Sequence, residues 1–245
     1  MKYDEYRMKP AEKIKYGLFY CLMIMLIAYV FYDSLYAVII LLPAAVLFFR
    51  FVRDGLIRKR KDELKVQFRD MIDSIASALK AGYSIENSFY ESRKDMLRLH
   101  GRDSLIVKEL DHFFLKLENG IPLEAILSDF ATRTGVEDIS DFSEIFVLAK
   151  RNGGDFTGII GKTVRIMKEK DETEKEIAVI LSGRKYEQRV MCIIPICIII
   201  YLRITGRGFL SVLYHNPAGM VIMTACLIIY ITSYLISMKL IDIKV

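Results

Sequence analysis

The stretch PAGMVIMTACLIIYITSYLISM, Pro217 to Met238, is 22 residues long and carries no charged side chain. At about 1.5 Å per residue, a helix of that length covers the roughly 30 Å hydrocarbon core of a bilayer. Three other apolar runs accompany it: Tyr16 to Tyr32, Ser34 to Phe49 and Val190 to Leu202. Phe51 and Val52 lengthen the second if Arg50 snorkels. The third, the shortest, spans only if Arg189 and Arg203 both reach toward the interfaces. Between the two pairs, Arg53 to Arg189 has no comparable run. The expected fold is all-α: an integral membrane protein whose N- and C-terminal transmembrane helix pairs flank a cytoplasmic helical bundle. Its parts are residues 1–52 (tail and hairpin), 53–189 (bundle) and 190–245 (second pair). The first run does not read as a secretory signal, because no small-residue cleavage site follows it and Asp33 leads directly into another apolar run.

Charge gives the orientation. The chain has a formal net charge of +5, yet Arg53 to Arg189 holds as many acidic as basic residues, so the excess lies in the membrane parts. A neutral central block lacks the basic stripe that nucleic acid would require, and no nucleic-acid partner is expected. Lys2, Arg7, Lys9, Lys13 and Lys15 precede the first run, and Arg50, Arg53, Arg58, Lys59, Arg60 and Lys61 follow the second. The intervening Asp33-Ser34 has no base. The positive-inside rule then puts both termini and the central block in the cytoplasm. Lys239 and Lys244 agree with this, while Arg203 and Arg207 run against it.

The central block reads as helices, from apolar stripes of helical period. Leu64, Phe68, Met71, Ile72, Ile75 and Leu79 form the first. Ile85, Phe89 and Met96 form the second, and Ile106, Leu110, Phe113, Phe114 and Leu117 the third. Leu123, Ile126, Leu127 and Phe130 form the fourth, and Ile139, Phe142, Ile145, Phe146 and Ala149 the fifth. A sixth helix starts at Phe156 and meets no proline before Pro195. It reads as a stalk running straight into the third span. A weak internal repeat aligns Leu79 to Glu86 with Leu117 to Glu124, and a looser copy begins at Arg151. In each, a glycine ends one helix in the left-handed conformation (Gly82, Gly120, Gly153-Gly154). Ser84 or Asp155 then caps the next helix, or Pro122 starts it.

Few residues suggest chemistry. Gly161-Lys162-Thr163 ends like a phosphate-binding loop, but Phe156 stands where the first glycine should be, in a helical context. Glu137, Asp138, Asp141 and Glu144 read as a helix start with a solvated acidic face. Cys21, Cys192, Cys197 and Cys226 all lie in apolar runs and act as small hydrophobes. His100, His112 and His215 are scattered. No catalytic residue, cofactor or metal is expected. Lys168 to Glu176 alternates in sign, with Lys168–Glu172 and Asp171–Lys175 spaced to pair along the helix. This is either a solvated face or a docking surface for a cytoplasmic partner.

The order of parts resembles the type II secretion system F domain family. The residues that carry the resemblance are Ser77-Ala78-Leu79-Lys80-Ala81-Gly82-Tyr83-Ser84, then Gly120-Ile121-Pro122-Leu123-Glu124-Ala125, then Gly153-Gly154-Asp155, a charged helix and two terminal spans. These are inner-membrane platform proteins of type II secretion, type IV pilus and tight-adherence machines, and the chain looks most like the TadB-type branch. The resemblance covers about residues 53 to 245. Lys150-Arg151-Asn152 is more basic than the family's usual run. What it implies is a non-enzymatic platform that couples a cytoplasmic secretion ATPase to the assembly of pilin subunits. Such a platform works with a second platform protein or by self-association, in the cell (inner) membrane. The matching positions Gly82, Ser84, Gly120, Pro122, Gly153, Gly154 and Asp155 would be structural joints. A membrane-anchored receptor or signalling scaffold is the alternative.

Overall fold

The computed structural model describes residues 3, 8, 10–32, 38, 42–152, 155–206 and 216–241. Every regular element among them is a helix. They are α1 (Pro10–Ile27) with a π-helical continuation (Ala28–Tyr32), a short 3-10 turn (Leu42–Ala44), α2 (Ala45–Lys80), α3 (Ile85–His100), α4 (Leu105–Glu118), α5 (Leu123–Thr134), α6 (Glu137–Asn152), α7 (Phe156–Thr205) and α8 (Pro217–Ile241). Three of these are long and apolar enough to cross a membrane: Pro10–Tyr32, Phe156–Thr205 and Ala218–Met238. The chain is therefore an all-helical protein suited to a membrane. Part of the expected second span, Ser34 to Phe49, lies outside the described residues (34–37 and 39–41), as do Gly153, Gly154, Arg207 and His215.

Two compact units form. The first comprises Met1–Arg7 and Val52–Glu172. Its helices bury the stripes that their periodicity assigns: Leu64, Phe68, Met71, Ile72, Ile75 and Leu79 from α2, with matching sets from α3 to α6. α7 adds Ile160, Val164 and Met167. Six phenylalanines close a ring within this core. Phe68 meets Phe142 and Phe130, Phe130 meets Phe113, Phe113 stacks on Phe89, and Phe89 meets Phe146, which returns to Phe142. Centroid separations run from 5.6 to 6.3 Å, within the range where edge-to-face and offset pairs attract. Phe156 joins at 5.2 Å from Phe146, so the first residue of α7 is tied to the ring. Each of α2 to α6 supplies at least one member, so no helix can leave without breaking the ring.

The second unit comprises Met8–Phe51 and Thr173–Val245. Its core is small: Val30, Phe31, Met223 and Leu227, with Ile27, Tyr32, Ile199 and Ile200 packed around them. Two hydroxyls inside it find partners on neighbouring helices, as hydrocarbon surroundings demand. The Tyr32 and Thr224 hydroxyls lie 3.0 Å apart, and Tyr230 donates to the Cys192 carbonyl at 2.7 Å. Arg203, which ran against the charge rule, lies over the Tyr29 ring and donates to the Tyr29 carbonyl. Its charge thus meets the negative end of the first membrane-directed helix. None of the apolar window of α7 is buried. Its large side chains, such as Ile193 and Tyr201, are exposed, which suits lipid rather than water.

Candidate functional site

The helix joints share one geometry. After α2, Gly82 takes φ 88°, its N–H donates to the Leu79 carbonyl at 3.0 Å, and Tyr83 N–H donates to Ala78 at 3.1 Å. After α4, Gly120 takes φ 77°, and the bonds recur as Gly120 to Leu117 at 2.9 Å and Ile121 to Lys116 at 3.1 Å. Both are Schellman closures, in which two otherwise orphaned carbonyls find donors. Ser84 then caps α3 by accepting from Asn87 N–H at 3.3 Å. Pro122 sits at the cap of α5 rather than inside its first turn, and its carbonyl accepts from Ile126 N–H at 3.1 Å. Asp155 Oδ1 accepts from Gly158 N–H at 2.8 Å and so caps α7. Gly153 and Gly154 lie outside the described residues. Gly101 and Gly135 adopt positive φ as well, although nothing in their surroundings distinguishes them in the sequence.

The charged face of α7 reaches across to α2. Lys168 reaches α2 and meets Asp73 at 2.6 Å. Asp171 pairs with Arg69, also on α2. Two of the four residues read as a docking surface (Lys168, Asp171, Glu172, Lys175) are therefore engaged in ion pairs inside the first unit. Arg69 continues the network. Its Nε and Nη2 both donate to Asp138 Oδ2 at 2.8 Å, and Lys170 donates to Asp138 Oδ1 at 3.4 Å. Asp138 is 2% exposed. This corrects the solvated reading of the acidic run at the start of α6: Asp138 faces inward and is neutralised from α2 and α7. Asp141 remains outside, and its carboxyl is pushed up by partial burial and by the nearby Glu137 carboxylate.

A second charged cluster joins α4 to α5. Glu109, 1% exposed, receives Arg133 Nη1 at 3.1 Å and Nη2 at 2.8 Å. Arg133 also donates from Nε to Asp129 at 2.8 Å, and Lys116 meets the same oxygen of Asp129 at 2.5 Å. Burial pushes the Asp129 carboxyl up, but hydrogen bonds from Lys116 and Arg133 outweigh it and hold the group below its ordinary value. Glu124 is treated alike: burial opposes ionisation, and its Lys150 partner at 2.9 Å with the Arg151 charge prevails. Arg93–Asp111 at 2.7 Å joins α3 to α4, and His100–Asp70 at 2.8 Å joins α3 to α2. Sequence reading missed Arg69, Glu109 and Arg133. The one available signal is register: Asp138 precedes Phe142 by four residues, which puts it on the buried stripe.

Gly161-Lys162-Thr163 lies within α7. Thr163 donates to the Ile159 carbonyl at 2.9 Å, so these residues form helix where a phosphate cradle would need loop. Among the described residues no group of His, Cys, Asp or Glu is arranged to hold a metal ion. Ion pairs join α7 to α2 and α6 through Asp73, Arg69 and Asp138. No protein-family model matches the chain, nor does any curated protein or solved structure.

Proposed function

We propose that the chain is a non-enzymatic platform protein of a pilus or type II secretion machine in the cell membrane, with its first unit in the cytoplasm. There it couples a secretion ATPase to the assembly of pilin subunits, alongside a second platform protein or another copy of itself. The observation that carries this reading is α7. This single helix of 50 residues contributes Ile160, Thr163, Val164 and Met167 to one core and then becomes a membrane-spanning candidate. A helix with ion pairs at one end and an apolar window at the other suits transmission of displacement along its axis. The joints Gly82, Ser84, Gly120, Pro122 and Asp155 keep the cytoplasmic helices in order, and Lys168 and Asp171 fasten α7 to them.

Val179→Pro tests it. Val179 is exposed on α7, so the substitution disturbs no packing, and proline inside a helix costs about 3 kcal/mol and breaks its continuity. The variant should insert in the membrane and co-purify with a hexameric secretion ATPase, yet support no pilus; Val179→Ala should behave as wild type. Normal pili from Val179→Pro, or no capture of an ATPase by either chain, would refute the coupling.

A further inference from the structure

Tyr3 is packed into a unit from which it is separated, along the chain, by the whole of α1. It is 1% exposed and belongs to the core that holds Leu64 and Phe130. Its hydroxyl donates to Glu109 Oε1 at 2.9 Å, its N–H donates to the Arg133 carbonyl at 3.3 Å, and the Arg60 guanidinium lies 4.9 Å from its ring centroid. Three helices therefore supply three distinct recognition elements. α2 gives a cation for the ring face, α4 a carboxylate for the phenol, and α5 a carbonyl for the main chain. Glu109 is clamped by both terminal nitrogens of Arg133, so it presents a fixed negative acceptor. Burial, with the adjacent carboxylate, pushes the Tyr3 hydroxyl above its ordinary range, and it stays a donor.

We infer that Arg60, Glu109 and Arg133 form a peptide site that reads a tyrosine, and that its occupant is the chain's own Tyr3, bound in cis as a strap. The site selects an aromatic ring with a hydrogen-bond donor at its far end. Phenylalanine would remove the shorter of the two hydrogen bonds at Glu109 Oε1 and leave that buried oxygen with Arg133 Nη1 alone. A membrane consequence follows where α1 is read as a span. Tyr3 and Arg60 meet at one place, so the chain between them crosses the bilayer an even number of times. α1 then requires a return crossing before Arg60, and Ser34 to Phe49 is the apolar run in that interval. The strap is independent of any role in pilus assembly.

The chain contains no tryptophan, so Tyr3→Trp in the full-length protein in detergent micelles gives a sole indole, excited to the red of the tyrosines, whose N–H can serve Glu109. Its emission should be blue-shifted and its acrylamide quenching several-fold weaker than that of Tyr83→Trp, placed at an exposed position. Adding Arg60→Ala should raise the quenching toward that control. If Arg60→Ala lowers the helical circular-dichroism signal, Arg60→Met, which keeps the apolar stem and removes only the cation over the ring, serves in its place. Solvated emission from Tyr3→Trp, or shielding that survives loss of the slot residue, would overturn the site. Mixing a Tyr3→Trp, Arg60→Ala chain with a Tyr3→Ala chain should restore no shielding; restoration would assign the slot to a second copy and overturn the strap in cis. The membrane consequence is read separately: Ser34→Cys and Tyr83→Cys should react with an impermeant maleimide from opposite sides. Labelling from one side would remove α1 as a span and leave the tyrosine slot standing.

Discussion

Replacing Arg133 with methionine isolates the energetics of the Glu109 cluster. The substitution keeps a long apolar stem and removes two hydrogen bonds to Glu109 and one to Asp129. Glu109 is 1% exposed and would keep the Tyr3 hydroxyl but lose its cationic clamp, while Asp129 keeps Lys116. Leaving a buried charge without its partner costs about 3–5 kcal/mol, a large share of the roughly 5–15 kcal/mol that holds a domain folded. With a urea dependence of about 2 kcal/mol per molar, the unfolding midpoint should fall by about 2 M. Glu109→Gln with Arg133→Met removes both charges, and the double variant should be about 2 kcal/mol more stable than the sum of the single losses. The assay is urea unfolding of the full-length protein in detergent micelles, followed by circular dichroism. The apolar helices keep their structure there, so the urea-sensitive signal belongs to the first unit. A midpoint shift below about 0.5 M for Arg133→Met, or simple additivity in the double variant, would refute the claim that this pair is buried and coupled.

Asp141 supplies a pH test. Its folded-state carboxyl titrates above the ordinary value because of partial burial and the Glu137 charge. The native state therefore holds this proton more tightly, and stability rises as pH falls through the folded value; above it the ionised group is a penalty. Asp141→Asn should raise Tm at about pH 7, and the gap from wild type should close near pH 4, at the unfolded carboxyl value. Two glycines should respond with opposite signs to alanine. Gly55 lies in α2 with nothing within 4 Å of an added Cβ, and Gly55→Ala should stabilise by ~0.5–1 kcal/mol. Gly82 also has open space but a φ of +88°, and Gly82→Ala should destabilise by ~1 kcal/mol through backbone strain alone. Both are read as Tm shifts of the full chain.

The apolar side of each helix was legible because burial there follows a period that neighbours in sequence share. Leu64 to Leu79 and Leu123 to Phe130 need no knowledge of the partner helix to be recognised as inward. Closures at Gly82 and Gly120 are equally local, since the bonded carbonyls lie within five residues. The ion pairs are otherwise. Asp138 looks like any acid at a helix start until Arg69, from a different helix, is brought beside it. Lys168 and Asp171 satisfy the spacing rule along α7, but their partners Asp73 and Arg69 come from α2, and only the Arg69 pair lies on ground shielded enough for the attraction to be less screened. Tyr3 gives no local signal, because its slot is assembled from residues that only the folded unit gathers.

Pro195 lies within α7 and has no amide hydrogen, so the Met191 carbonyl one turn earlier loses its usual donor. At the adjacent carbonyl, Cys192, the hydroxyl of Tyr230 arrives from α8. Tyr230, Ser233, Tyr234 and Ser237 recur at a helical spacing on that side of α8 and line one cleft with Cys192 and Pro195. A shift of register by a single residue would turn α8 by about 100° and swing the phenol out of reach. Tyr230 is thus a polar tie between α7 and α8 beside the proline, and any change of azimuth between the two helices would forfeit that hydrogen bond in apolar surroundings.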